Sequence, residues 1–406
     1  MSIAASDLPT LDMESEEFWR EPALAARPLL ESGARIAEVP SFGALMLLRY
    51  GDCYDALLAP DALGNIGSRY FEIQGWSEGP WIDWTRLNIV MSDPPTHTRL
   101  RRLVNRAFTP AVVRNMHDAA VRIAHELADA AAEQGSVELV HGWARLLPLR
   151  VICEMLGVPS VDHEQMGVWT EALSAAAGLP SDENRAVGDT AMREFNAYVI
   201  DQLDRRRADP QDDLLTRLLD AEEEGDRLGR DELVAMVVQL LFAGHETSRN
   251  LIGNLVYRLL EDPDRLARVR ADRSLVTTAV EESLRYDPPI TFTSRIAHDD
   301  LEIAGKSVTA GQLVVVFLTA ANFDPNQWSD PYRFEVTRAD ADRHLSFGWG
   351  IHHCLGANLA RMEGRIALET LLDRFRSIEL AGEPSDWTVF TPLRGRQRLD
   401  VALTPT

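Results

Sequence analysis

Among the 406 residues, the side chain whose type and surroundings point most directly to chemistry is Cys354. It stands in the run Phe347-Gly348-Trp349-Gly350-Ile351-His352-His353-Cys354-Leu355-Gly356, with a helical pattern beginning near Leu359. Glycines two apart permit a tightly folded backbone, and a third follows the cysteine by two. A cysteine in such a loop at a helix N-terminus lies among unpaired N–H donors, which favour thiolate over thiol. A thiolate is a soft ligand and one of the axial ligands that hold haem iron. Two other readings stand beside this one. A buried cysteine is commonly inert packing. Zinc held by His352, His353 and Cys354 is disfavoured, because consecutive residues cannot easily all face one metal and no C-x-x-C partner exists.

Three more groups have spacings that matter. Ala243-Gly244-His245-Glu246-Thr247 lies midway along an apolar helical run. Leu240, Ala243, Gly244, Thr247 and Leu251 share one face of that run, where the small residues leave room for a ligand. A mid-helix threonine can instead bond back to the carbonyl one turn earlier. Glu282 and Arg285 are nearly one turn apart and can pair, which on an exposed surface is worth only about 0–1 kcal/mol. His97 and Arg101 follow Asp93-Pro94-Pro95 at four-residue spacing, and their simplest reading is a solvated helix face.

The elements that must position these residues are mostly helices. Apolar residues recur at three and four over Asp118–Ala132, Arg193–Arg207, Asp231–Leu260, Leu275–Tyr286 and Leu359–Phe375. The third of these predicts a helix of roughly 45 Å at 1.5 Å per residue, apolar nearly all round and therefore internal. Strand patterns are few: Ala44–Leu48, a hairpin of Leu301–Ile303 with Ser307–Thr309 around Ala304-Gly305-Lys306, and Leu313–Phe317. Leu63–Val90 and Thr319–Phe347 are rich in Gly, Pro, Asn and Asp and are expected to be long ordered loops, which are usually functional. No repeat or flexible linker divides the chain, so residues 1–406 read as a single domain, mainly α with a minor β part. A formal charge of −22 argues against nucleic-acid binding and against docking on anionic lipid. No run reaches the roughly 18 apolar residues of a membrane span. Met1–Pro22 is acidic and lacks the apolar core of a signal peptide. Three cysteines do not suggest a disulfide framework. The expectation is a cytoplasmic protein with reduced thiols.

The run from Phe347 to Gly356 resembles the F-G-x-G-x-H-x-C-x-G haem loop of the cytochrome P-450 haem-thiolate monooxygenases. The other three groups match that family in the same order, so the resemblance covers nearly the whole chain, and it is similar to a soluble bacterial member. It implies the cytochrome P-450 fold, with haem b (iron protoporphyrin IX) between the long central helix and the cysteine loop. By this resemblance Cys354 is the metal ligand. Phe347, Gly348, Ala243 and Gly244 flank the haem, and His97, Arg101, Arg295 and His352 hold its propionates. Glu246 and Thr247 are the catalytic acid–alcohol pair that delivers protons during dioxygen activation. Glu282 and Arg285, with Arg338 from Phe334-Glu335-Val336-Thr337-Arg338, form a buried network supporting the haem loop. Two departures stand out: Trp349 fills a variable slot, and Asn322-Phe323-Asp324 carries Phe where Arg is common.

The resemblance also assembles a substrate pocket from Leu63–Val90, from Leu240, Ala243 and Thr247, from Ile290, Thr291, Phe292 and Thr293, and from the turn Thr391–Leu393 that includes Pro392. Tyr70, Phe71, Trp76, Trp81 and Trp84 either line this pocket or pin their loop to the core. No charged anchor is evident in the pocket segments, which suggests an apolar small-molecule substrate with dioxygen as co-substrate. The chain contains no G-x-G-x-x-G nucleotide unit after a strand, so electrons must come from elsewhere. The family implies a ferredoxin and its reductase. Pro95–Arg114 holds five arginines and no acid, and Arg99, Arg102 and Arg106 form a candidate docking patch, the alternative being a solvated stripe. The expected activity is insertion of one oxygen atom into an organic substrate, by hydroxylation or epoxidation. A peroxide-driven peroxygenase and a haem-binding protein without turnover are the alternatives.

Overall fold

The computed structural model describes residues 8–73, 75–178, 181–223 and 225–406. Residues 1–7 of the acidic N-terminal stretch, and Gln74 within the Leu63–Val90 segment, lie outside them. A 31-residue helix, Arg230–Leu260, runs through the centre. At 1.5 Å per residue it is about 46 Å long. Its start is set by Glu232, whose carboxylate reaches back to the Gly229 N–H at 2.8 Å, and Pro263 opens the next helix just beyond its end. Twenty-two of its residues are buried, including all those from Leu233 to Gln239, so the apolar run is wrapped on every side. Helices Leu146–Leu156, His163–Ala176, Leu275–Tyr286 and Ala357–Arg374 pack around it. This is the internal helix the apolar pattern predicts.

The β part is larger than the sequence pattern suggests. A five-stranded sheet has the order Ile36–Val39, Ala44–Leu47, Leu313–Val316, Thr293–Ala297 and Leu63–Asn65. Its one parallel pair joins Val315 to Met46, and the antiparallel register sets Val314 opposite Arg295. Thr293 and Arg295 are two residues apart and so emerge on one face. A three-stranded sheet joins Phe375–Leu380, Asp400–Pro405 and Ser136–Glu138. The expected hairpin forms one residue earlier, Leu301–Ile303 with Lys306–Val308, around Ala304 (φ 52°) and Gly305 (φ 78°). Two positive φ angles in a two-residue turn match the twist of the paired strands.

Leu63–Val90 is not a long loop. It contains the strand Leu63–Asn65, the helices Arg69–Ile73 and Pro80–Leu87, and the start of a 3₁₀ turn at Ile89–Met91. Its aromatic side chains belong to the main hydrophobic core. Phe71 stacks on Trp76 at 5.5 Å, Trp81 meets Trp84 at 5.1 Å, and Trp84 lies edge-on to Phe242 of the central helix at 6.1 Å. The Trp84 indole N–H donates to Ala235 O at 3.3 Å. None of the five aromatics lines the central cavity, so they pin the segment rather than line the pocket. Among the described residues no helix is long and apolar enough to cross a membrane.

Candidate active site

Cys354 sits in a loop folded on itself by backbone hydrogen bonds. Its N–H donates to Phe347 O at 2.9 Å, Gly348 N–H to Leu345 O at 2.8 Å and His353 N–H to Gly350 O at 3.1 Å. Gly348 and Gly350 adopt φ of 64° and 69°, left-handed values that glycine takes without strain. At Gly350 a Cβ would also come within 2.5 Å of Leu57 O. Gly356 differs: its φ is −87°, and it is the residue before the helix Ala357–Arg374. Burial pushes the Cys354 thiol up, while the Gly356 N–H and the Arg101 and Arg361 guanidinium groups pull it down. In the protein alone burial prevails over the helix-end donors. A coordinated metal cation deprotonates such a thiol outright.

The loop faces a cavity of about 390 Å³ below the middle of the central helix. Phe347, Gly348, His352, Cys354, His97, Arg101, Arg295, Ala243, Gly244, Glu246 and Thr247 all line it. One end is cationic. The His97 and His352 rings are 4.2 Å apart, and Arg101 and Arg295 flank them. Arg101 donates to His353 O at 2.9 Å, and Arg295 to Thr293 Oγ1 at 3.1 Å. Burial and the neighbouring His97, Arg295 and Arg101 push His352 down to about 3. Burial also lowers His97, Arg101 and Arg295. Asp93 opposes the shift at His97 and Arg295, but its carboxylate already accepts the Asn65 N–H at 2.8 Å. His97 Nδ1 is buried without a hydrogen-bond partner among the described residues. Four groups that bind anions converge here with too little negative charge to satisfy them. The two propionates of a haem are the buried anions such a cluster lacks. The donor set therefore fits haem, with sulfur at one side and cations at the rim. Among the described residues no cluster of three or more His, Cys, Asp or Glu side chains is placed to hold a metal, so the zinc alternative has no ligand set.

Above the loop, Thr247 faces the cavity while its hydroxyl donates to Ala243 O at 2.7 Å. The back-bond and the cavity position are thus both real. Glu246 is nine-tenths or more buried, 2.9 Å from Arg249 Nη2 and 3.2 Å from His245 Nδ1. Burial raises its carboxyl, against the opposing pull of Arg249. His245 is wholly buried, held by Thr170 Oγ1 at 3.0 Å, and pushed well below its ordinary range by burial and then by Arg249 and Arg145.

Beneath the loop, Glu282 and Arg285 are fully buried and pair twice, at 2.7 and 2.9 Å. Arg338 Nε adds contacts to both Glu282 oxygens at 3.1 and 3.0 Å, and the Glu335 N–H a further one at 2.9 Å. The connection to the haem loop runs through Asn322, which sequence reasoning missed. Arg285 donates to Asn322 O at 2.8 Å, and the Asn322 side chain accepts from Leu345 N–H and donates to Ser346 Oγ. Glu281 was missed too. It binds Arg361 at 2.7 Å and His344 at 3.2 Å; burial pushes its carboxyl up, but these partners bring it down to about 2. Arg361, seven residues past Cys354, also covers the Phe347 ring at 4.5 Å.

Leu240, Ala243, Thr247, Ile290 and Thr293 of the expected substrate contacts line the cavity. Thr291, Phe292 and Pro392 do not. The Ile290–Leu393 bridge turns those two side chains inward and their neighbours aside. Thr291 N–H is spent on Pro392 O at 2.9 Å, and Phe292 packs on Trp19 at 6.0 Å in a separate core cluster. Leu393 takes the place assigned to Pro392. The basic stripe also needs correction: Arg99 is bonded to Asp226 and Glu232, leaving Arg102 and Arg106 as its exposed members.

A family model described as Cytochrome P450 matches residues 185–388. The chain belongs to the cytochrome P450 family. It is 37% identical over 410 residues to a vitamin D(3) 25-hydroxylase of Pseudonocardia autotrophica, covering 100% of this chain and 99% of that one. It is 43% identical over 320 residues to the 6-deoxyerythronolide B hydroxylase of Saccharopolyspora erythraea, covering 78% of each. The solved structure of cytochrome P450 CYP109Q5 from Chondromyces apiculatus superposes with a TM-score of 0.88 at 33% identity, over 98% of this chain and 99% of that one. The fold is that of a cytochrome P450 and the enzyme class is a haem-dependent monooxygenase. Sequence reasoning placed haem correctly as the cofactor, with the cysteine loop and the long helix on either side of it.

Proposed function

We propose that this P450 inserts one oxygen atom of dioxygen into a largely apolar organic molecule, by hydroxylation or epoxidation, with electrons from a ferredoxin-type donor. The observation that carries the reading is the convergence of Cys354, the cationic rim and Thr247 on one cavity. Haem held through a cysteine thiolate supplies the activation of dioxygen. The chain's own residues supply the rest. Arg101 and Arg295 neutralise the propionates, and His97 and His352 orient them as hydrogen-bond donors. Apolar Leu240, Ile290 and Leu393 keep water from the upper cavity. Thr247 holds a hydroxyl proton at Oγ1, and the neighbouring Glu246, its carboxyl raised by burial, replenishes it. The intact Glu246-Thr247 pair favours an oxygen-activating enzyme over a peroxygenase or a haem carrier. Relatives named as hydroxylases and an epoxidase support the same reaction types. The exposed Arg102 and Arg106 serve the donor in an otherwise acidic protein, and the whole chain acts as one cytoplasmic unit.

Purified holoprotein with a surrogate ferredoxin and reductase tests the proposal. Substrate-dependent NAD(P)H consumption with one oxygen atom in the product is expected, and Thr247→Ala lowers product formed per NAD(P)H while substrate binding holds. Turnover with peroxide alone and none with the electron donors would contradict it.

A further inference from the structure

The wall of the upper cavity contains a polar group whose orientation the structure fixes by elimination. Gln239 lies four residues before Ala243 and eight before Thr247, on the same face of the central helix, and lines the cavity. An amide can point either way, and only its partners decide which end is oxygen. Here the partners form a chain that begins at a group with no choice. The Val90 backbone N–H can only donate, and it donates to the Asn88 side chain at 2.8 Å. That atom of Asn88 must therefore be oxygen. Its other end must be the NH₂, and this NH₂ donates to Gln239. The Gln239 atom facing Asn88 is in turn oxygen, so the Gln239 NH₂ is turned away from Asn88.

That NH₂ donates to no described residue, although Gln239 is only 7% exposed. Three neighbouring polar side chains that line the cavity already hold partners. Asn65 binds Val90 O and Gly67 N–H, Thr247 binds Ala243 O, and Thr293 accepts from Arg295. An unpaired amide donor in an apolar cavity is costly unless a ligand accepts from it.

We propose that Gln239 is a specificity-determining residue, recognising an acceptor oxygen on the substrate: a ketone, a lactone or ester carbonyl, or a hydroxyl. This rests on the reading of the cavity as the haem-bearing substrate site. The helix rise sets the span, since Gln239 is about 6 Å along the axis from Ala243 and about 12 Å from Thr247. The substrate is then an apolar body with an acceptor oxygen at its end remote from the oxidised carbon. Asn88, which touches no substrate, is a positioning residue that holds the donor outward.

The test uses holoprotein and two ladders of imidazoles with alkyl tails of about six to about twelve carbons, a range chosen for the helix rise between Gln239 and Thr247. One ladder is plain and the other carries a ketone near the tail end. Imidazole ligation of the iron gives an optical signal for every member. At one chain length the ketone is expected to bind up to about tenfold tighter than its plain match, the range of a single net hydrogen bond. In Gln239→Leu that advantage disappears while the plain ladder binds as before or tighter. In Asn88→Asp, Val90 N–H takes one carboxylate oxygen and the other turns the Gln239 amide around. The ketone advantage is then lost, while a hydroxyl at the same position, which can donate, keeps its own. No ketone advantage at any length, or an advantage unchanged in both variants, overturns the proposal. Failure of every imidazole to shift the haem spectrum would instead count against the haem site itself.

Discussion

Glu363 is fully buried in the helix that follows the cysteine loop, and burial pushes its carboxyl up to about 8, with only Ser248 opposing. At neutral pH it is therefore protonated in the folded protein and ionised in the unfolded chain, where the ordinary value is 4.5. The sign follows from proton counting. The folded state binds more protons between those two values, so stability is fully present below 4.5 and is lost as pH rises toward about 8. The loss is about 1.4 kcal/mol per pH unit, or about 3 kcal/mol at pH 7. Glu363→Gln keeps the shape and removes the titration. Unfolding entropy of about 2.1 cal/mol/K per residue over this length converts 3 kcal/mol to roughly 4 °C. The variant should then gain on the parent by roughly 4 °C at pH 7, and by no more than about 1 °C at pH 5, relative to a pH-independent offset. That offset, the cost of burying an amide, is why the slope decides rather than the absolute value. Melting temperatures of both holoproteins at pH 5, 6, 7 and 8 are the measurement. Parallel curves would refute the assignment of a neutral, buried Glu363.

Three further outcomes are expected. Glu282→Ala leaves Arg285 charged and buried without its carboxylate, a loss of about 3–5 kcal/mol beneath the haem loop, and should abolish haem incorporation; normal haem content would remove that role. Gly350→Ala places a Cβ on the Leu57 carbonyl in a left-handed conformation that costs roughly 1–2 kcal/mol, whereas Gly356→Ala meets nothing; only the first should shed haem faster, measured by transfer to an acceptor globin. Reversing Arg102 and Arg106 to Glu should slow reduction by ferredoxin at low salt and leave substrate affinity intact, and an unchanged reduction rate would dismiss the patch.

The parts of the molecule legible in the sequence are those written in one continuous stretch. The apolar run from Leu233 to Phe242 announces an internal helix by itself, and Leu275–Tyr286 begins and ends where its periodicity does. The cysteine loop is legible because its glycines, histidine and cysteine are close in the chain. What depends on pairing distant segments is not. The strand Ser136–Glu138 joins Asp400–Pro405, more than 260 residues away, and neither has a strong pattern alone. Arg99 reads as part of an open basic stripe because its partners Asp226 and Glu232 lie over 120 residues further on. Thr291 and Pro392 look like pocket residues until their mutual hydrogen bond shows which neighbours face inward. Asn322 carries no periodic signal, yet it is the joint between the Glu282–Arg285 pair and the haem loop.

The central claim is that the Cys354 sulfur binds the haem iron as a thiolate. The most direct measurement is the carbon monoxide difference spectrum of the dithionite-reduced holoprotein, beside that of Cys354→His. The parent should give the red-shifted band specific to thiolate ligation, and the variant should give the band of an imidazole-ligated haem. A parent spectrum without the thiolate band, or a thiolate band that survives the replacement, would contradict the account.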